Sequence, residues 1–171
     1  MYFMTPDQKI NSIVIVGGGT AGWLTAGIIA AEHSVNGSEV NDSVGVQITL
    51  VESPDISTIG VGEGTWPSMK STLQKMGISE TDLIRECDAS FKQGTLFHGW
   101  KTGGNDAYTH PFTPPHSYAS TNLAPQWQKF RNEVSFADAV SSQNALMFKG
   151  LAPKQISTPE YAFNANYGYH L

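Results

Sequence analysis

The chain has a single cysteine, Cys87, in 171 residues, so no internal disulfide framework can form, and a reducing, cytoplasmic setting is the default. Cys87 itself reads as a buried thiol that packs like a small hydrophobe. Basic residues are also scarce. Ten Lys plus Arg face fifteen Asp plus Glu, and the formal charge of −5 disfavours the phosphate-neutralising surface that DNA and RNA partners require. Long apolar runs are missing too: Ile13 to Val16 is too short for a signal peptide or a membrane span. With 40% hydrophobic and 15% charged residues, what remains is the composition of a globular chain large enough for one core and one domain.

The order of elements comes from local patterns. Ser12 to Val16 is a β-branched run that stops at three glycines and gives way to a small-residue helix from Ala21 to about His33. After a polar stretch, Ser34 to Ser43, the segment Val46 to Glu52 reads as a second strand, buried because parallel strands covered on both faces lose polar alternation. The result is a βαβ unit with adjacent parallel strands. Beyond Pro67, the spacing of Met69, Leu73 and Met76 predicts a helix closed by Gly77, and Ser79 with Asp82 loosely resembles a capping box for a second helix that buries Leu83, Ile84 and Cys87. Ser90 to Trp100 reads as one strand, with Phe91, Thr95 and Phe97 on one face and Lys92 on the other. Thr102 to Pro125 is dense in Gly, Pro, Asn, Ser and Thr and reads as a long irregular loop of the functional kind. Trp127, Phe130 and Val134, then Ala137, Val140 and Met147, predict two further helical stretches.

Gly17–Gly18–Gly19–Thr20–Ala21–Gly22 satisfies GxGxxG between a strand and a helix, which is where a dinucleotide pyrophosphate is held. Gly17 permits the tight turn, Gly19 lets backbone N–H groups approach the phosphates, and Gly22 lets helix and strand pack closely. Thr20 and Ala21 complete the cofactor-binding turn. Glu52, at the end of the second strand, is placed to bind ribose hydroxyls, and a carboxylate there disfavours NADP, leaving FAD or NAD.

Three motifs in order then resemble one family. Val16–Gly17–Gly18–Gly19–Thr20–Ala21–Gly22–Trp23, Ile59–Gly60–Val61–Gly62–Glu63–Gly64–Thr65–Trp66–Pro67 and Ala89–Ser90–Phe91–Lys92 are similar to the flavin-dependent halogenases, the tryptophan halogenase family, and the likeness runs on to Tyr167–Gly168–Tyr169–His170–Leu171. The resemblance implies an α/β fold with a Rossmann-like FAD-binding βαβ core, additional helices and a long loop, incomplete relative to the full family fold. It also implies that Gly62, Glu63 and Gly64 join the cofactor site. Read from the residues alone, Lys92 snorkels from a sheet edge to solvent; the resemblance implies instead the active-site lysine that faces the flavin across a tunnel. His110 and Phe112, in the long loop, are placed where the family sandwiches an indole. His33, His98, His116 and His170 show no metal-ligand spacing among themselves, and no metal is expected.

The implied reaction is bromination or chlorination of an electron-rich aromatic such as indole or tryptophan, using FADH2 from a separate flavin reductase, O2 and halide. Lys92 would polarise the resulting hypohalous acid, by a hydrogen bond or by being halogenated on nitrogen. Family members are longer and carry a WxWxIP motif and a catalytic glutamate; Trp66, Trp100 and Trp127 do not reproduce that motif, so residues 1–171 read as the N-terminal part of a truncated halogenase domain. A homodimer stays open for the full-length protein, and no membrane or nucleic-acid partner is expected. An FAD-dependent monooxygenase or other oxidoreductase, and a non-catalytic FAD-binding fragment, remain as alternatives.

Overall fold

A computed structural model of the chain describes residues 10–33, 45–56 and 63–171. The polar stretch Ser34 to Ser43 and the whole Ile59–Gly62 segment lie outside the described residues. The chain divides into two compact units, one comprising Met1–Val61 and Ser71–Ile78, the other Gly62–Lys70 and Ser79–Leu171.

The first unit is the expected βαβ arrangement. β1 (Ser12–Val16) pairs in parallel with β2 (Gln47–Val51), in register from Ser12 opposite Gln47 to Val16 opposite Val51, and α1 (Thr20–His33) packs on both strands. The two strands were expected to be buried on both faces. Among the described residues they alternate: Ile13, Ile15, Ile48 and Leu50 are half-buried, whereas Val14, Val16 and Val51 are exposed. One packed helix covers one face of a pleated pair, and side chains at every second position point away from it. A Cβ on Gly27 would lie 2.3 Å from Cε of Met76, so the bare glycine is what lets α1 accept that side chain. Met76 follows α2 (Met69–Lys75), which ends as the sequence predicts: Gly77 has φ +71°, its N–H reaches Gln74 O, and Ile78 N–H reaches Leu73 O, the paired bonds of a Schellman stop.

The second unit begins with an extended segment at Glu63–Thr65 that pairs with β6 (Gly168–His170): Gly64 bridges His170, and Thr65 N–H bonds Tyr169 O at 2.7 Å. β6 also pairs antiparallel with β3 (Ser90–Lys92), placing Phe91 opposite Tyr169 and Lys92 opposite Gly168. α3 (Glu80–Glu86) precedes β3, and its N-cap is the expected one, Ser79 Oγ accepting from Asp82 N–H at 3.0 Å. Cys87 is exposed, contrary to expectation, because it is the C-cap residue, where the helix surface gives out before the chain turns at Asp88.

Ser90 to Trp100 is not one strand. It breaks at Gln93, and β4 (Gly94–His98) takes a different partner, β5 (Ala107–Pro111), in an antiparallel hairpin. The cause is visible at the junction: the buried Gln93 donates from Nε2 to Leu151 O at 2.7 Å, its carbonyl accepts from Phe112 N–H, and Gly94 comes so close to His110 that a Cβ would sit 2.6 Å from the His110 oxygen. The loop expected from Thr102 to Pro125 therefore contains a strand, with Pro111 at its end, where a missing N–H breaks no ladder. Downstream, three short helices replace the two predicted stretches: α4 (Ala124–Trp127), α5 (Phe136–Val140) and α6 (Gln143–Phe148). α4 stops after four residues and residues 128–134 form turns, with Trp127 Nε1 donating to Val134 O. Fully buried Gln143 fastens this layer, accepting from Thr113 N–H at 2.7 Å and donating to Asn166 O.

Candidate functional site

The glycine turn lies in the first unit. Gly17 adopts φ +123°, a conformation that a side chain strongly disfavours, and its N–H bonds Val51 O at 2.9 Å, tying the turn to the end of β2. A Cβ on Gly22 would lie 1.9 Å from Gly17 O, so its absence is what allows α1 to start so close to β1. A Cβ on Gly19 would meet nothing within 4 Å: the space beside its backbone is open. Thr20 and Ala21 form the first turn of α1, whose N–H groups are not satisfied within the helix. Glu52 follows β2 and leans over the turn, Oε2 lying 1.7 Å from where a Gly18 Cβ would be. An open, N–H-lined helix start beside an acidic side chain is what a dinucleotide pyrophosphate and ribose need.

Lys92 lies in the second unit. β3 and β6 present alternate side chains to two faces, so Lys92 and His170 share one face, while Phe91 and Tyr169 share the other. On the first face, Gly64 is the floor. A Cβ there would lie 2.9 Å from Lys92 Nζ and 3.3 Å from both Cε1 and Nδ1 of His170. Lys92 Nζ is 5.5 Å from the Trp66 ring centroid and 5.7 Å from that of Phe112, and the two rings are 5.4 Å apart. No carboxylate among the described residues pairs with this ammonium; its neighbours are π faces, which attract a cation and leave its N–H donors available.

Phe112 also borders a cavity of about 780 Å³ whose lining includes Tyr108, His110, Tyr118, Trp127 and Phe136. Of the residues expected to hold substrate, Phe112 is thus brought beside Lys92. His110, exposed on β5 opposite Thr95, lines the cavity without Lys92 among the other lining residues. Gly64, expected at the cofactor, contacts Lys92, and Glu63 adjoins it through backbone bonds to Leu171.

A family model described as tryptophan halogenase matches residues 12–171. The chain belongs to the tryptophan halogenase family. A tryptophan halogenase of known structure from Shewanella frigidimarina is 55% identical, with a TM-score of 0.83 over 95% of this chain and 32% of its own. The tryptophan 6-halogenase ThaL of Streptomyces albogriseolus is 31% identical over 96% of this chain and 32% of its own length. A flavin-dependent halogenase from Xanthomonas campestris superimposes with a TM-score of 0.73 at 29% identity, over 96% of this chain and 31% of its own. The chain spans about a third of the length of these relatives. With the parallel βαβ unit, these likenesses show the Rossmann-like α/β fold of the flavin halogenases.

Sequence reasoning missed what holds the other face of β3 and β6. Glu80 is buried under them; its carboxylate accepts from Lys154 Nζ at 2.7 Å, Tyr161 N–H at 2.9 Å, Tyr169 OH at 2.7 Å and Tyr167 OH. Burial pulls the Glu80 carboxyl upward, but the bonds from Lys154, Tyr167, Tyr161 and Tyr169 outweigh it and hold the group below the usual carboxylate range. Burial first, then the Glu80 carboxylate, drive the Tyr167 and Tyr169 hydroxyls far up. Lys70, 6% exposed, bonds Asn166 Oδ1 at 2.7 Å and sits 3.7 Å from the Phe163 ring centroid; burial lowers it to about 8. A glutamate next to an N-cap serine reads as a solvated partner of the helix dipole, so nothing in its own neighbourhood announces the burial.

Proposed function

We propose that the full-length protein halogenates an electron-rich aromatic ring such as tryptophan or indole, consuming FADH2, O2 and bromide or chloride. The observation that carries this reading is the placement of Lys92: an ammonium set against Gly64, bordered by the Trp66 and Phe112 rings and unmatched by any described carboxylate. A lysine so placed has hydrogen-bond donors to offer hypohalous acid, or, once deprotonated, a nitrogen lone pair to take its halogen. Phe112 and His110 are the residues for holding the aromatic substrate, since both line a cavity of about 780 Å³, large enough for an indole.

The glycine turn fits FAD: the space at Gly19 is open, and the positive end of the α1 helix begins beside it. Gly17, Gly19, Thr20, Ala21, Gly22 and Glu52 would hold it. When bound and reduced, the flavin supplies the electrons by which O2 and halide become hypohalous acid, and the chain's own part is to bind, orient and activate. A separate flavin reductase is the partner this requires. No helix among the described residues is long and apolar enough to cross a membrane, and we place the protein in the cytoplasm, where its exposed lone thiol stays reduced.

The test is Lys92→Ala in the full-length protein. Reduced flavin should still be oxidised at a near-parental rate while halogenated product vanishes. Product at more than about a tenth of the parental rate, a barrier change of roughly 1.4 kcal/mol or less, would make Lys92 structural.

A further inference from the structure

Lys92 has a companion that the halogenation reading leaves without a task. His170 sits on β6, on the face that carries Lys92, and its imidazole meets the same point beside Gly64 that Lys92 Nζ meets. His170 is exposed, and among the described residues its ring has no hydrogen-bond or ionic partner. Glu63 neighbours the pair in the chain, but Gly64 is the residue bridged to His170, so the alternation of an extended segment turns Glu63 to the other face. Lys92 and His170 are therefore the titratable groups that share this face among the described residues of β3, β6 and the Glu63–Thr65 segment.

We propose that His170 is the base that takes the proton from Lys92 across one bridging water, so that the lysine nitrogen accepts the halogen covalently. The inference rests on the halogenase reading above. A lysine ammonium has no lone pair, and it must lose a proton before it attacks. The imidazole accepts that proton; the freed lone pair forms the nitrogen–halogen bond to hypohalous acid; the halogen–oxygen bond breaks; and the departing hydroxide takes the second proton from nitrogen and leaves as water. The halogen keeps its oxidation state, so no further oxidant is consumed. When an aromatic carbon takes the halogen, the ring's proton passes to the lysine nitrogen, and the imidazolium returns its own, restoring ammonium and imidazole. Imidazole suits the role because it gains and gives up a proton near neutral pH.

The step is testable without flavin. Full-length protein is treated with a limiting amount of hypobromous acid, N-halogenated lysines are trapped with an aryl sulfinate as sulfonamides, and peptide mass spectrometry gives the labelling of Lys92 relative to exposed Lys149. In the parent, Lys92 should be labelled far in excess of Lys149. His170→Ala should reduce that ratio by about 100-fold, the low end of the effect of a positioned general base, and free imidazole should restore it. His170→Gln, which keeps polarity and bulk but no basicity, should fall equally. An unchanged ratio in both variants, or a loss that imidazole does not restore, overturns the role of His170 and leaves the Lys92 assignment standing. A parent that labels Lys92 no faster than Lys149 overturns the Lys92 assignment and this inference with it.

Discussion

Two glycines of the same turn should fail in opposite ways. A methyl group at Gly22 would lie 1.9 Å from Gly17 O, well inside ordinary van der Waals contact, and the atom it strikes is backbone, which cannot swing aside. Relief requires α1 to back away from β1 or Gly17 to move, which strains the Gly17 N–H to Val51 O bond. Overpacking of this kind costs about 1–3 kcal/mol, and a lost backbone bond about 1 kcal/mol more, so Gly22→Ala should destabilise the protein by about 2–4 kcal/mol. Gly19 is the reverse case: its added Cβ touches nothing within 4 Å, so Gly19→Val should change stability by no more than about 0.5 kcal/mol. The valine would fill the space through which a pyrophosphate reaches the helix start. Losing two charge-assisted bonds is worth about 3 kcal/mol or more, at least a 100-fold rise in the Kd for FAD. Urea denaturation and flavin fluorescence titration on the two full-length variants give both numbers. Gly19→Val binding FAD like the parent would refute the phosphate site; Gly22→Ala with the parental urea midpoint would refute the close approach.

At Lys92, arginine should fail like alanine in product assays, because a guanidinium stays protonated and offers no lone pair to a halogen. In Gly64→Ala the atoms nearest the new methyl are side-chain atoms of Lys92 and His170, not backbone, so melting should be near parental while halogenated product falls at least about tenfold; parental product would show that the position of Nζ does not matter. Lys70, held at about 8 by burial against an ordinary 10.5, is charged in both folded and unfolded states below pH 8; above it the folded state releases its proton first, and stability rises toward pH 10.5. Relative to Lys70→Met, the parent should gain on the order of 3 kcal/mol across that window in urea titrations; a flat difference would show that Lys70 is not confined as described.

What the sequence disclosed was whatever is decided within a few residues. The β1 run, the glycine turn, the Gly77 stop and the Ser79 cap all formed where their local chemistry places them. Exposure of Val14, Val16 and Val51 did not follow from the strand itself, because which face of a parallel pair is covered depends on other elements. The break at Gln93 was equally opaque: glutamine punctuates no strand, and the chain changes partners there because Leu151 and Phe112, distant in sequence, claim its side chain and carbonyl.

The chemistry on β3 was half legible for the same reason. Strand alternation alone separates Lys92 from Phe91, and separates His170 from the two buried tyrosines on either side of Gly168, so each segment carries one polar and one aromatic face in its sequence. Which faces meet is decided by pairing, with Lys92 opposite Gly168 and Phe91 opposite Tyr169. That pairing is enforced from behind by Glu80, which gathers Tyr169, Tyr167 and Lys154 under the sheet. A slip of one residue along β6 would send Tyr169 toward Lys92 and His170 into the aromatic core, where an imidazole would find no water. The buried carboxylate, far from the reacting face, is thus what sets lysine and histidine side by side over Gly64.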